Sequence, residues 1–170
     1  MNLVRKWLLL SVLLALAVPS QAVQDYKFHS IFFFNFAKYT QWPPAYRNGD
    51  FVIGVLGDSK VMGPLQEMAK ERQVNSQRIV VKNFASVQDI GWCHILFLPF
   101  DQSSQLDPVL AKVDGSPTMV VTEKPGLGRQ GSTINFVLVN GRWQFELNRS
   151  AAESAQLKVA NELVRLAIQI

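Results

Sequence analysis

Apolar runs alternating with helix-length amphipathic segments constrain this chain most. FVIGVL at 51–56 is an almost unbroken apolar run, and RIVVK at 78–82, CHILFL at 93–98 and TMVVT at 118–122 repeat the theme. Runs of this kind are typical of strands covered on both faces. Between them, Val61, Met62, Leu65, Met68 and Ala69 recur at helical spacing and predict a helix over about 60–71. Leu106, Val109, Leu110 and Val113, at i, i+3, i+4 and i+7, predict another. Strands alternating with helices predict a mainly parallel sheet. The pattern then changes. Segments 133–139 and 142–147 flank Asn140-Gly141, the strongest short signal for a type I′ hairpin. The expected fold is α/β: about six strands, mainly parallel, closed by an antiparallel hairpin, with helices on both faces in a Rossmann-like three-layer arrangement. Ser150 and Glu153 have capping-box spacing, and a last helix is expected over about 151–168, packed over most of its circumference.

The first 22 residues read as a cleaved export signal. Arg5 and Lys6 precede an apolar stretch at 7–18, and Ser20-Gln21-Ala22 puts small residues where a signal peptidase needs them. The stretch is shorter than the roughly 20 residues of a spanning helix. The expected mature chain is 23–170, one domain in the periplasm with no later segment apolar enough to span a bilayer. Losing Arg5 and Lys6 lowers the formal charge from +4 to +2. No dense basic stripe of a nucleic-acid binder remains. Cys93 is the only cysteine, so no intrachain disulfide forms. Its place in an apolar strand points to core packing.

The mature protein opens with YKFHSIFFFNFAKYTQWPP at 26–44, a helix stopped by Pro43 and Pro44. At about 100° per residue, Phe28, Phe32, Phe36 and Tyr39 share a core-facing stripe, with Ile31 and Trp42 at its edge. Phe33 lies to one side, and Phe34 falls among Lys27, Ser30, Lys38 and Gln41, on the water side. Aromatic residues anchor interfaces, so Phe33, Phe34, Tyr39 and Trp42 are candidate partner contacts. The competing role for Phe34 is contact with another element of the same domain. Arg142 and Glu146 on the hairpin are further partner candidates, with an exposed cross-strand pair as their plainer role.

Chemistry-bearing motifs are sparse. Gly126 to Gly131 match GxGxxG, but the loop runs into a strand rather than opening a helix, which is the wrong context for a dinucleotide. His29 and His94 are the only histidines and lack further ligands at metal spacing. No nucleophile elbow or Cys-His arrangement is visible. No cofactor, metal or catalytic residue is expected. Gly57, Asp58, Ser59 and Asp101 follow predicted strands and border the strand-end crevice where open α/β sheets bind small ligands. That leaves a small-ligand sensor module as the alternative to a contact-based role.

Four blocks, KFHSIFFFNFAKYTQWP, FVIGVLGDS, CHILFLP and GSTINFVLVNGRWQFELNRSAAESAQLKVANELVRLA, in this order resemble the YfiR/HmsC-like periplasmic family. The resemblance implies a non-enzymatic regulator. Members restrain an inner-membrane diguanylate cyclase of the GGDEF type through its periplasmic sensor part, which lowers cyclic-di-GMP and biofilm formation. Well-studied members carry disulfides, whereas here only Cys93 matches a family cysteine. Leftover apolar surface leaves a homodimer open.

Overall fold

The computed structural model describes residues 26–170. The export signal expected at 1–22 lies outside them. In chain order the elements are α1 (Tyr26–Lys38), β1 (Thr40–Gln41), β2 (Phe51–Leu56), α2 (Met62–Glu71), β3 (Gln73–Val74), β4 (Gln77–Phe84), β5 (Ile95–Leu98), α3 (Leu106–Val113), β6 (Met119–Thr122), β7 (Ile134–Val139), β8 (Arg142–Leu147), α4 (Arg149–Ser154), β9 (Lys158–Val159), α5 (Asn161–Leu166) and β10 (Ile168–Gln169). The main sheet runs β10-β8-β7-β6-β5-β2-β4-β3. Its centre, from β4 through β2, β5 and β6 to β7, is parallel. The β7–β8 hairpin is antiparallel, and Asn140 and Gly141 at its tip both have positive φ, as a type I′ turn requires. The six expected strands are all present. The two-residue strands β3 and β10 extend the sheet at its edges, and β1 pairs with β9 in a separate ribbon.

The sheet separates two cores. One face buries Ile53, Phe97, Val121, Phe136 and Phe145 under α1, α2 and the segments around α4 and α5. The other buries Leu56, Phe84, Leu96, Leu98 and Val120 under α3 and the loops before it. Burying each such side chain contributes about 1.5–3 kcal/mol. Gly54 on β2 is there for space: a Cβ would lie 2.5 Å from the Phe84 ring and 3.2 Å from Cys93 Sγ. Cys93 is buried, and burial pushes its thiol pKa up to about 12. It packs as a small hydrophobe.

Two local expectations are corrected. On α1 the buried residues are His29, Phe33, Phe36 and Ala37, whereas Phe28 and Ile31 are exposed. The helix is turned by about one residue position from the expected stripe. The cause is His29, whose ring is surrounded by those of Phe136 (4.3 Å), Trp143 (5.0 Å) and Tyr26 (5.0 Å). A count of apolar residues treats it as an outsider.

The long last helix does not form. α4 ends in a Schellman arrangement: Leu157 N–H donates to the Ala152 carbonyl (2.9 Å) and Gln156 N–H to that of Glu153 (2.9 Å). Gln156 holds the left-handed position, φ 57, that glycine usually takes, and buried Leu157 secures the turn. The chain then extends as β9 against β1 before α5 begins. The cap is Asn148, whose side chain accepts from Ala151 N–H at 2.9 Å, so Ser150 stands inside the first turn.

Candidate functional site

Two regions hold the sequence-derived candidates. The first is the surface around α1 and α2. A groove of about 650 Å³ runs between these helices. Ile31, Phe34, Pro64 and Met68 supply its apolar wall, and Lys27, Lys38 and Arg72 alternate with Glu67 and Glu71 around it. Phe34 is half-buried, packs against the core and lies under the Arg72 guanidinium, 4.9 Å from its ring centroid. Its contact with another element of the same domain is therefore real, and its remaining surface lines the groove. Phe28 (55% exposed) and Ile31 (59%) stand out from the helix into solvent.

The other partner candidates are dispersed. Phe33 is fully buried, its ring edge-on to Phe97 at 5.4 Å. Trp42 is 4% exposed; its indole N–H donates to the Pro117 carbonyl (2.9 Å) and its ring sits edge-on to Phe51. Both belong to the interior, because the turned helix sends Phe33 inward and the Trp42 ring packs against Phe51 and His94. Tyr39 is half-buried, with Lys38 Nζ 5.1 Å from its ring centroid. Arg142 is exposed at the hairpin tip opposite Val139. Glu146 sits opposite Asn135 and accepts from its side-chain amide (2.8 Å), at the end of a polar ladder that continues to Thr122. The two are thus not a cross-strand pair.

The second region is the mouth at the carboxyl ends of β2, β5 and β6. Gly57, with φ 71, lies tight against Gln102, whose Nε2 would be 2.8 Å from an added Cβ. This contact joins the loop at 57–59 to the turn after β5. Asp58 and Asp101 are exposed, and Ser59 Oγ accepts from Val61 N–H. The centre of the mouth is filled from above by the first turn of α1. Glu123, 4% exposed, accepts at Oε1 from Phe100 N–H (2.8 Å) and from the Tyr26 hydroxyl (3.2 Å). Its Oε2 lies 3.5 Å from His29 Nε2. The two approach closely but lack hydrogen-bond alignment, so no hydrogen bond joins them. Burial, with the Glu123 charge second, raises the Tyr26 pKa above the usual tyrosine range.

Sequence reasoning missed Glu123 and His29. The available signals were an acid immediately after the strand TMVVT and a histidine inside an aromatic helix. A carboxylate beside an imidazole has acid–base capacity, but here rings enclose it. Among the described residues no group of three His, Cys, Asp or Glu is placed to hold a metal. The GxGxxG loop is a short turn, with Gly126 (φ 89) and Gly131 (φ 114) in the left-handed region, as a loop rather than a cofactor cradle requires.

A family model described as YfiR/HmsC-like matches residues 26–168. No curated protein matches the chain significantly. Among solved structures, the ABC domain in complex with L-Trp from Streptococcus pneumonia is similar at a TM-score of 0.51 and 11% identity, covering 69% of this chain and 54% of that one. The chain spans about half the length of that protein, and the likeness is one of α/β fold.

Proposed function

Since the chain belongs to the YfiR/HmsC-like family, we propose that it docks on the periplasmic part of an inner-membrane signalling protein, a diguanylate cyclase, and restrains it. The family is one of non-enzymatic periplasmic regulators in cyclic-di-GMP signalling. The observation that carries the docking role is the outward face of α1. Phe28 and Ile31 are more than half exposed on a helix whose opposite side is locked into the core. Exposed large apolar side chains beside a charged groove are the anchors that interfaces use.

The role needs no chemistry from the protein, only a rigid surface. The Phe33, Phe36, Phe97 and Phe136 cluster supplies that rigidity directly beneath α1. Phe34 contributes from the side of the same helix and Tyr39 from the turn just after it. Replacing Phe28 and Ile31 together by glutamate should leave folding intact and abolish the fall in cellular cyclic-di-GMP that the wild-type protein produces. A folded double variant that still lowers it would refute the docking face.

A small-ligand sensor at Gly57, Asp58, Ser59 and Asp101 is the second reading. It would require Glu123, Tyr26 and His29 to withdraw from the mouth they fill, and a ligand screen by thermal shift tests it.

A further inference from the structure

Strand β4 is open along one side. It pairs with β2 over Ile79 to Phe84, while β3 covers only Gln77 and Arg78 on the other flank. The Phe84 carbonyl accepts from Gly57 N–H on the β2 side (2.8 Å). Backbone groups alternate sides along a strand, so those of Val80 and Lys82 also face β2, and those of Val81 and Asn83 face outward. Neither outward pair has a backbone partner among the described residues.

Beside this edge, between β4 and α2, runs a groove of about 770 Å³. Its floor is Ala69, Ile79 and Val81, and it is lined by Lys70, which pairs with Glu67, by Arg78, which pairs with Asp50, and by Arg72 and Glu71. Arg72 also lines the α1–α2 groove, so the two grooves meet at the end of α2. On the opposite face of β4, exposed Lys82 makes no close ion pair among the described residues.

We propose that this edge receives an extended segment of a partner protein by strand addition. The segment would carry apolar residues on the groove side and acidic residues on the Lys82 side. The inference rests on the contact role above and names how contact is made. A second copy of this chain fits less well. Antiparallel pairing of β4 with itself about Val81 would put the two Lys82 side chains at diagonal positions on one face, where like charges repel. A lysine on an open edge is also a known guard against self-pairing.

The test uses the mature chain and a capped peptide of about seven residues alternating glutamate and valine, with a lysine–valine peptide and a proline-interrupted peptide as controls. In amide-resolved NMR titrations, the glutamate peptide should shift and protect Val81 and Asn83. The lysine peptide should bind at least about tenfold more weakly, and the proline peptide not at all. Val81→Pro removes an outward N–H without touching the β2 ladder. It should lose some packing of the Val81 side chain against the core, still melt as a cooperatively folded protein, and lose binding. If it fails to fold, Lys82→Glu serves instead and should invert the peptide preference.

Absence of shifts at Val81 and Asn83, equal binding of the lysine peptide, or concentration-dependent broadening of these amides without peptide would each overturn the proposal. In cells the two readings separate. A folded Val81→Pro protein that still lowers cyclic-di-GMP sinks strand addition and leaves the α1 docking face standing. A folded Phe28→Glu, Ile31→Glu protein that still lowers it sinks that docking face.

Discussion

The strand-end mouth and the α1–α2 groove share one helix and differ in almost every other respect. The mouth gathers groups with chemical capacity, Glu123, His29 and Tyr26, and shuts them beneath the first turn of α1. The groove gathers groups that adhere: Ile31 is exposed and Phe34 half-buried above buried Met68, with Lys27, Lys38 and Arg72 interspersed with Glu67 and Glu71 around them. In most open α/β proteins the strand ends are where ligands enter. Here the helix that opens the domain plugs that position and turns its other side outward, so the polar cluster at the strand ends serves as a latch for the proposed contact surface.

The largest effect should come from the latch. Glu123→Ala strips Phe100 N–H and Tyr26 of their acceptor and removes the acid beside His29. Leaving these two donors without an acceptor costs about 3 kcal/mol in all. Thermal melting should fall by roughly 6–12 °C. An unchanged melt would mean that the mouth is not what holds α1. The groove side should respond in the opposite sense. Phe28→Glu with Ile31→Glu should change stability by no more than about 0.5 kcal/mol while weakening partner binding by about 2 kcal/mol, near thirtyfold.

Arg72→Ala should be milder, about 0.5–1 kcal/mol in stability from the lost stacking on Phe34, read by denaturant unfolding. Smallest is the alkaline response. The Tyr26 pKa is higher in the folded than in the unfolded chain, so its contribution is complete below the unfolded value of about 10 and lost as pH rises beyond it. Tyr26→Phe should flatten that alkaline loss. Phe28→Glu with Ile31→Glu should leave its slope unchanged, and a shift there would blur the distinction between latch and groove.

The sheet was legible because its signals are local. FVIGVL, CHILFL and TMVVT declare buried strands, and Asn140-Gly141 sets its own turn. The rotation of α1 was hidden because His29 is buried by its fit among rings rather than by hydrophobicity. The break at Gln156 was hidden because glutamine fills a position glycine normally marks, and what stabilises it, pairing of β9 with β1, lies more than a hundred residues away. Glu123 was readable only as a residue after a strand. Its partners come from α1 and from the turn after β5, and no spacing rule connects them. Of the partner candidates, Phe34 and Tyr39 remain at least partly on the surface, while Phe33 and Trp42 are interior.

The ribbon between Thr40–Gln41 and Lys158–Val159 also bears on how the molecule is made. Thr40 and Val159 stand more than a hundred residues apart, so the segment after α1 meets this partner only when a loop of that length has closed. Closing so long a loop is slow and entropically costly. Phe136 and Phe145, which pack on the rings of Phe33 and Phe36, also lie about a hundred residues along the chain, so before the fold closes those rings are exposed in the way a holding chaperone recognises.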